Sequence, residues 1–149
     1  MKRVLVSIIL LLAPALANDL DVSLGGPFGI NVGFRAGVIP VLADIRLYVS
    51  GGAPSAGSIA FGGGADVLIH IPLLPFYTGV GAFYGTAPAL SLIAQGNFGA
   101  RAILGTDFGI PLISWILPVG VYAEIYPTLY LGGASSFGLS GAFGVRLRL

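Results

Sequence analysis

The sequence predicts a closed, antiparallel, up-and-down transmembrane β-barrel of about eight strands, preceded by a cleaved signal peptide. Three observations carry that prediction. Hydrophobic residues make up 56% of the chain and charged residues only 9%, against about 25% charge in an ordinary soluble domain. Apolar and polar residues alternate with period two over most of the length after residue 18. Every charge beyond the leader falls on the polar phase: Asp19, Asp21, Arg35, Asp44, Arg46, Asp66, Arg101, Asp107, Glu124, Arg146 and Arg148.

The leader comes first. Met1-Lys2-Arg3 is basic, Val4 to Leu12 is apolar apart from Ser7, and Ala15-Leu16-Ala17 is a small-x-small cleavage site. That is the layout of a secretory signal peptide. Its apolar run falls short of the roughly 20 residues a spanning helix needs, and Pro14 argues against an uncleaved anchor. Cleavage after Ala17 divides the chain into a signal peptide, 1–17, and a barrel domain, 18–149. N-terminal sequencing of mature protein should therefore begin at Asn18. A chain beginning at Met1 would be helix-anchored instead.

Composition excludes several classes. There is no cysteine, so no disulfide framework or thiolate metal site exists. Lys2 and Arg3 leave with the leader, and five arginines then face six carboxylates with no lysine at all. That is not the basic footprint of a nucleic-acid binder. The best downstream candidate for a spanning helix, Phe108 to Ala123, is short and interrupted by Pro111 and Pro118. The 24 glycines would weaken helices further.

The strands are expected at 19–25, 28–38, 41–50, 57–71, 75–85, 92–107, 117–130 and 136–149. Leu20 to Val38 keeps a single phase, but at roughly 3.3 Å per residue one strand of that length would overshoot a bilayer. A hairpin at Gly25-Gly26 resolves this. The second strand sets Phe28, Ile30, Val32, Phe34, Ala36 and Val38 against Gly29, Asn31, Gly33, Arg35 and Gly37. The third sets Val41, Ala43, Ile45, Leu47 and Val49 against Leu42, Asp44, Arg46, Tyr48 and Ser50. In the fourth, Ile59, Phe61, Val67, Ile69 and Ile71 oppose Ser58, Gly62, Gly64, Asp66 and His70. The fifth lies between Leu73-Leu74 and the segment Gly85 to Leu90. In the sixth, Ala94, Phe98, Ala100, Ala102 and Leu104 oppose Gln95, Asn97, Gly99, Arg101 and Asp107. The seventh sets Leu117, Val119, Val121, Ala123, Ile125 and Leu129 against Gly120, Tyr122, Glu124, Tyr126, Thr128 and Tyr130. The eighth opposes Phe137, Leu139, Phe143, Val145 and Leu147 to Gly138, Ser140, Gly144, Arg146 and Arg148. Turns fall at Ile39-Pro40, at 51–55, at 109–116 and at 132–135, rich in the Gly and Pro that set turn dihedrals.

A soluble sandwich would show the same alternation, but its surface needs mixed charge to stay dispersed, and the polar faces here carry glycine and tyrosine as much as charge. A barrel in lipid fits better, because spanning strands must close to satisfy their backbone. Gly62-Gly63-Gly64 and Gly79-Val80-Gly81 are not phosphate loops, since neither precedes a helix. On an inward face glycine makes room for a neighbour's large side chain.

The inward charges are expected to form a network of Arg35, Asp44, Arg46, Asp66, Arg101, Glu124 and Arg146. A tight turn at Ile39-Pro40 would place Arg35 opposite Asp44 and Gly33 opposite Arg46. His70 is the only histidine. Asp66 lies roughly 13 Å along the same strand, too far to orient it as a base, and a hydrogen bond inside the lumen is the expected role. One histidine and scattered carboxylates make no metal site. Trp115, the sole tryptophan, is expected to anchor the chain at a membrane interface, with Tyr84 and Phe108 in the same girdles.

The chain resembles the small eight-stranded bacterial outer-membrane barrel families, OmpA-like or OmpX-like in architecture. The resemblance rests on the leader, the alternation across 18–149 and the final segment Gly141-Ala-Phe-Gly-Val-Arg-Leu-Arg-Leu149. There Gly144, Leu147 and Leu149 match the closing strand of such barrels, with a terminal Leu where Phe is usual. It implies a place in the bacterial outer membrane, periplasmic termini, and partners in outer-membrane lipid and the barrel-assembly machinery. The loops at 51–56, 86–91 and 131–135 would face outward; they are short and uncharged. Eight strands enclose just enough room for their own side chains. The expected protein is therefore non-enzymatic, without cofactor, metal or nucleic acid, and structural or docking to another envelope protein. A narrow small-solute or ion channel is the rival reading, and a lipid-modifying enzyme built on His70 a third.

Overall fold

Eight strands follow one another in chain order: β1 (Asp19–Gly25), β2 (Ile30–Ile39), β3 (Ala43–Ser55), β4 (Ser58–His70), β5 (Phe76–Thr86), β6 (Asn97–Gly109), β7 (Val119–Tyr130) and β8 (Ser136–Arg148). Each pairs antiparallel with the next, and β8 pairs with β1 to close the barrel. The structure, a computed structural model, describes residues 19–26, 28–39, 42–55, 58–86, 97–109, 118–131 and 135–149. The leader 1–17 and Trp115 lie outside these residues.

The expected hairpin between the first two strands is present. Gly25 and Gly26 take φ of +118° and +72°, which a side chain would resist. Asn31 Nδ2 donates to the Gly25 carbonyl at 3.0 Å and to Ser23 Oγ at 3.2 Å, which ties the turn down. The turn expected at 51–55 is instead strand. Gly51 pairs with Phe61, Gly52 with Ala60 and Ser55 with Ser58, with an irregularity in register between Gly52 and Ser55. Pro54 falls in that irregularity, the kind of place where a strand tolerates a missing N–H.

Direct partners run Asp21–Gly33–Tyr48–Gly64–Phe83–Gly99–Tyr130–Ser136 around the wall. The β8–β1 register pairs Asp21 with Arg146, ten residues along β8 from Ser136, the stagger that closure requires. From Gly33 onward the row alternates small and large. An ideal Cβ on Gly64 would lie 2.6 Å from Tyr48 Oη, one on Gly99 2.7 Å from Phe83 Cε1, and one on Gly138 3.0 Å from Tyr130 Cε2. The inward glycines are sockets for rings.

The outward positions carry exposed aliphatics such as Val32, Leu47, Ile69, Val80, Leu104 and Ile125. Aromatics stand near both ends of this face: Phe61, Tyr84, Phe98 and Phe137 at one, Phe76 and Phe108 at the other. Tyr84 and Phe108 are thus outward, at opposite ends. Each charged residue of the described strands sits on the inward phase.

Two further expectations are corrected. Phe28, assigned to the apolar outward face, is 1% exposed inside the barrel. It precedes β2 in the hairpin, and Gly29 at φ +98° breaks the phase between them. The β2–β3 register also differs: Arg35 is opposite Arg46, Gly37 opposite Asp44 and Gly33 opposite Tyr48. The pairing is displaced from the expected one by two residues, with a register shift between Gly37 and Ile39. A slip of one residue would flip every side chain, but a slip of two keeps the faces. Face pattern therefore had no power to choose between the two.

Candidate functional site

The barrel interior has three layers. At the end opposite the start of β1 and the finish of β8 sits an aromatic plug. Phe28 meets Phe83 edge-on at 5.7 Å between centroids, and Phe83 meets Tyr130 the same way at 5.7 Å. Edge-to-face pairs add roughly 0.5–1.5 kcal/mol beyond burial. Gly62 and Gly85 make the room: an ideal Cβ on Gly62 would fall 2.6 Å from the Phe28 ring, and one on Gly85 2.7 Å from its Cζ.

The middle layer is ionic. Arg35 faces Arg46 across the β2–β3 ladder, a pairing that would repel unless acids stood between. Three do. Asp21 accepts from Arg35 Nε at 3.2 Å and Nη2 at 3.1 Å, and from Arg146 Nε at 2.9 Å. Asp66 accepts from Arg46 Nε at 2.8 Å and from Arg101 Nε at 3.1 Å and Nη2 at 2.8 Å. Glu124 takes both oxygens to Arg46 Nη1, at 2.7 and 2.9 Å, and accepts from the hydroxyls of Tyr77 and Tyr126. All three acids and all four arginines are buried. The Arg101 guanidinium lies 4.4 Å from the ring centroids of both Tyr48 and Tyr126, a cation–π sandwich. Gly81 leaves the space that Asp66 occupies, since a Cβ there would collide with its Oδ1. The void left among Asp21, Arg46, Tyr48, Arg101 and Tyr126 is about 10 Å³, the room of one water at most.

The third layer is a mouth at the end where β1 begins and β8 finishes. It is a cavity of about 420 Å³, with Asp19, Asp44, Asp107 and Arg148 around it and Arg35 and Arg146 in its lining. His70 Nε2 pairs with Asp44 Oδ2 at 2.7 Å, and its ring lies 5.4 Å from that of Tyr77. Arg146 Nη1 bonds Asp107 at 2.5 Å.

Of the residues singled out in the sequence, Arg35, Arg46, Asp66, Arg101, Glu124 and Arg146 come together in the ionic layer. Asp44 stands at its edge, 3.7 Å from Arg35 Nη1 and closer to His70. Sequence reasoning placed Asp21 and Asp107 on the polar phase but not in the network, and it missed the tyrosine hydroxyls. Asp21 and Arg146 are 125 residues apart and meet only because β8 closes on β1. No local spacing signals such a pair; only the closing register does. Among the described residues no group of three or more His, Cys, Asp or Glu is placed to hold a metal. His70 has Asp44 and the Tyr77 ring as its described side-chain partners, and the Tyr77 hydroxyl is donated to Glu124, so the arrangement holds charge in place.

Comparison of the chain with protein-family models, with curated proteins and with solved structures finds no match.

Proposed function

We propose that this chain is a non-enzymatic bacterial outer-membrane barrel with a sealed lumen and a structural or docking role in the cell envelope. One observation carries the reading: side chains fill the barrel so completely that the ionic layer leaves about 10 Å³ of void. A closed eight-stranded wall with an aliphatic exterior suits lipid, where a barrel has no unpaired edge to hydrate. The ionic layer and the aromatic plug then lie across the path a solute would take. Among the described residues the small void of the ionic layer weighs against the channel reading, and His70, with Asp44 and Tyr77 as its side-chain partners, gives the enzyme reading little support. Outer-membrane lipid and the assembly machinery that reads the last strand are the partners this role requires, with a second envelope protein as its docking target.

Two measurements test it. Protein from the membrane fraction, run unboiled and boiled, should show the mobility shift of a closed barrel; a single mobility under both conditions would count against a stable barrel. Crosslinking in the intact envelope should trap a protein neighbour. A chain that crosslinks only to itself or to nothing would remove the docking role and leave the structural one.

A further inference from the structure

The mouth has a feature that the network does not absorb. Arg35 Nη1 and Arg146 Nη2 are buried and have no hydrogen-bond partner among the described residues, the Asp44 carboxylate standing 3.7 Å from Arg35 Nη1. Both arginines line the mouth cavity of about 420 Å³ and are themselves almost wholly buried. A buried N–H left unmade costs free energy, and more on a charged group. These donors therefore favour an acceptor entering the cavity.

The acceptor has to suit a lining of both signs. Arg35, Arg146 and Arg148 face Asp19, Asp44 and Asp107, with His70 bonded to Asp44. Asp19 and Asp107 each contact Arg146, at 3.7 and 2.5 Å. A simple anion would meet three carboxylates and a simple cation three guanidiniums. A head carrying a phosphate and an ammonium together meets both.

Beside the mouth, on the outside of the wall, runs a second hollow of about 350 Å³ that shares Ile71 with it. Its floor is small, Thr78, Thr106 and Ala123, and its sides are Phe76, Leu104 and Ile125. The register runs Phe76 opposite Thr106 and Thr78 opposite Leu104, so the groove extends from the strand ends toward the middle of the barrel. Between the two hollows is the β4–β5 turn, whose Leu73 and Leu74 are exposed apolar side chains.

We infer that mouth and groove form one site for a zwitterionic phospholipid of the phosphoethanolamine type, its head in the mouth and one acyl chain in the groove, draped over the Ile71–Leu74 turn. The phosphate oxygens accept from Arg35 Nη1 and Arg146 Nη2, and the ammonium donates to the carboxylates of the mouth. The chain lies along Leu104 and Ile125. This rests on the membrane reading above.

Native mass spectrometry of the barrel released from micelles holding equal phosphatidylethanolamine and phosphatidylglycerol of matched chains tests it. One phosphatidylethanolamine should be retained in at least about tenfold preference. Ala123→Phe, which fills the groove from outside, should lower that retention about tenfold while the unboiled mobility shift persists. Arg148→Glu at the exposed rim, which removes a cation and adds a carboxylate, should widen the preference for phosphatidylethanolamine. Free O-phosphoethanolamine should compete only weakly, since it lacks the chain. Equal retention of the two lipids, or retention unmoved by Ala123→Phe in protein that keeps its shift, would overturn the inference and leave the membrane reading intact. Protein that shows no shift in lipid would remove that reading, and the inference with it.

Discussion

Asp21→Ala should destabilise the barrel by about 3–5 kcal/mol, the usual cost of leaving buried charge unpaired. Asp21 is 2% exposed, sits on the seven-residue β1, and accepts from Arg35 on one side and Arg146 on the other. It thus bridges β1 to both neighbours at the seam where the chain's ends meet. Removing it orphans two guanidiniums at once. Reversible unfolding in detergent should also show strong coupling between Asp21→Ala and Arg35→Ala. The corresponding cycle of Asp44→Ala with Arg35→Ala should couple less, because that contact is 3.7 Å long and Asp44 is partly exposed and held by His70. Equal coupling in the two cycles would contradict the observed register.

Gly62→Val should cost about 1–3 kcal/mol, as overfilling of a packed interior does. The atoms nearest an added Cβ all belong to the Phe28 ring, at 2.6 to 3.0 Å. The ring cannot stay where it is, so the aromatic plug is displaced. Phe28→Ala alone should cost about 3–5 kcal/mol by opening a cavity. In the Phe28→Ala background, Gly62→Val should be close to neutral or favourable, because it refills the space the ring vacated. An undiminished cost for Gly62→Val in that background would mean that Phe28 is not the occupant. It would restore the outward orientation that the alternation suggested.

The two experiments probe what the sequence hid as well as what it displayed. Alternation was legible because the two faces of each strand differ so sharply: Ile125 and Leu129 outward, Glu124 and Tyr126 inward. The hairpin at Gly25-Gly26 was legible from strand length alone. Phe28 was not, because a positive φ at Gly29 resets the phase without any mark beyond the glycine itself. The Arg35 partner was misassigned for another reason. Registers two residues apart bury the same side chains, and the acid that Arg35 bonds is Asp21, a residue on a third element. The identity of the charged residues in the lumen could be read; who bonds whom depends on closure, which joins residues at opposite ends of the chain. The mouth cavity and its unpartnered nitrogens depend on side-chain reach and had no sequence signal.

The sealed lumen is the central claim, and current across a planar bilayer tests it most directly. Purified barrel, shown by its unboiled mobility to be folded, should insert without producing resolved current steps at moderate voltage. On this proposal the aromatic plug and the ionic layer interrupt the water path an ion would need. Reproducible steps from the same folded material would contradict the account and make the protein a narrow channel.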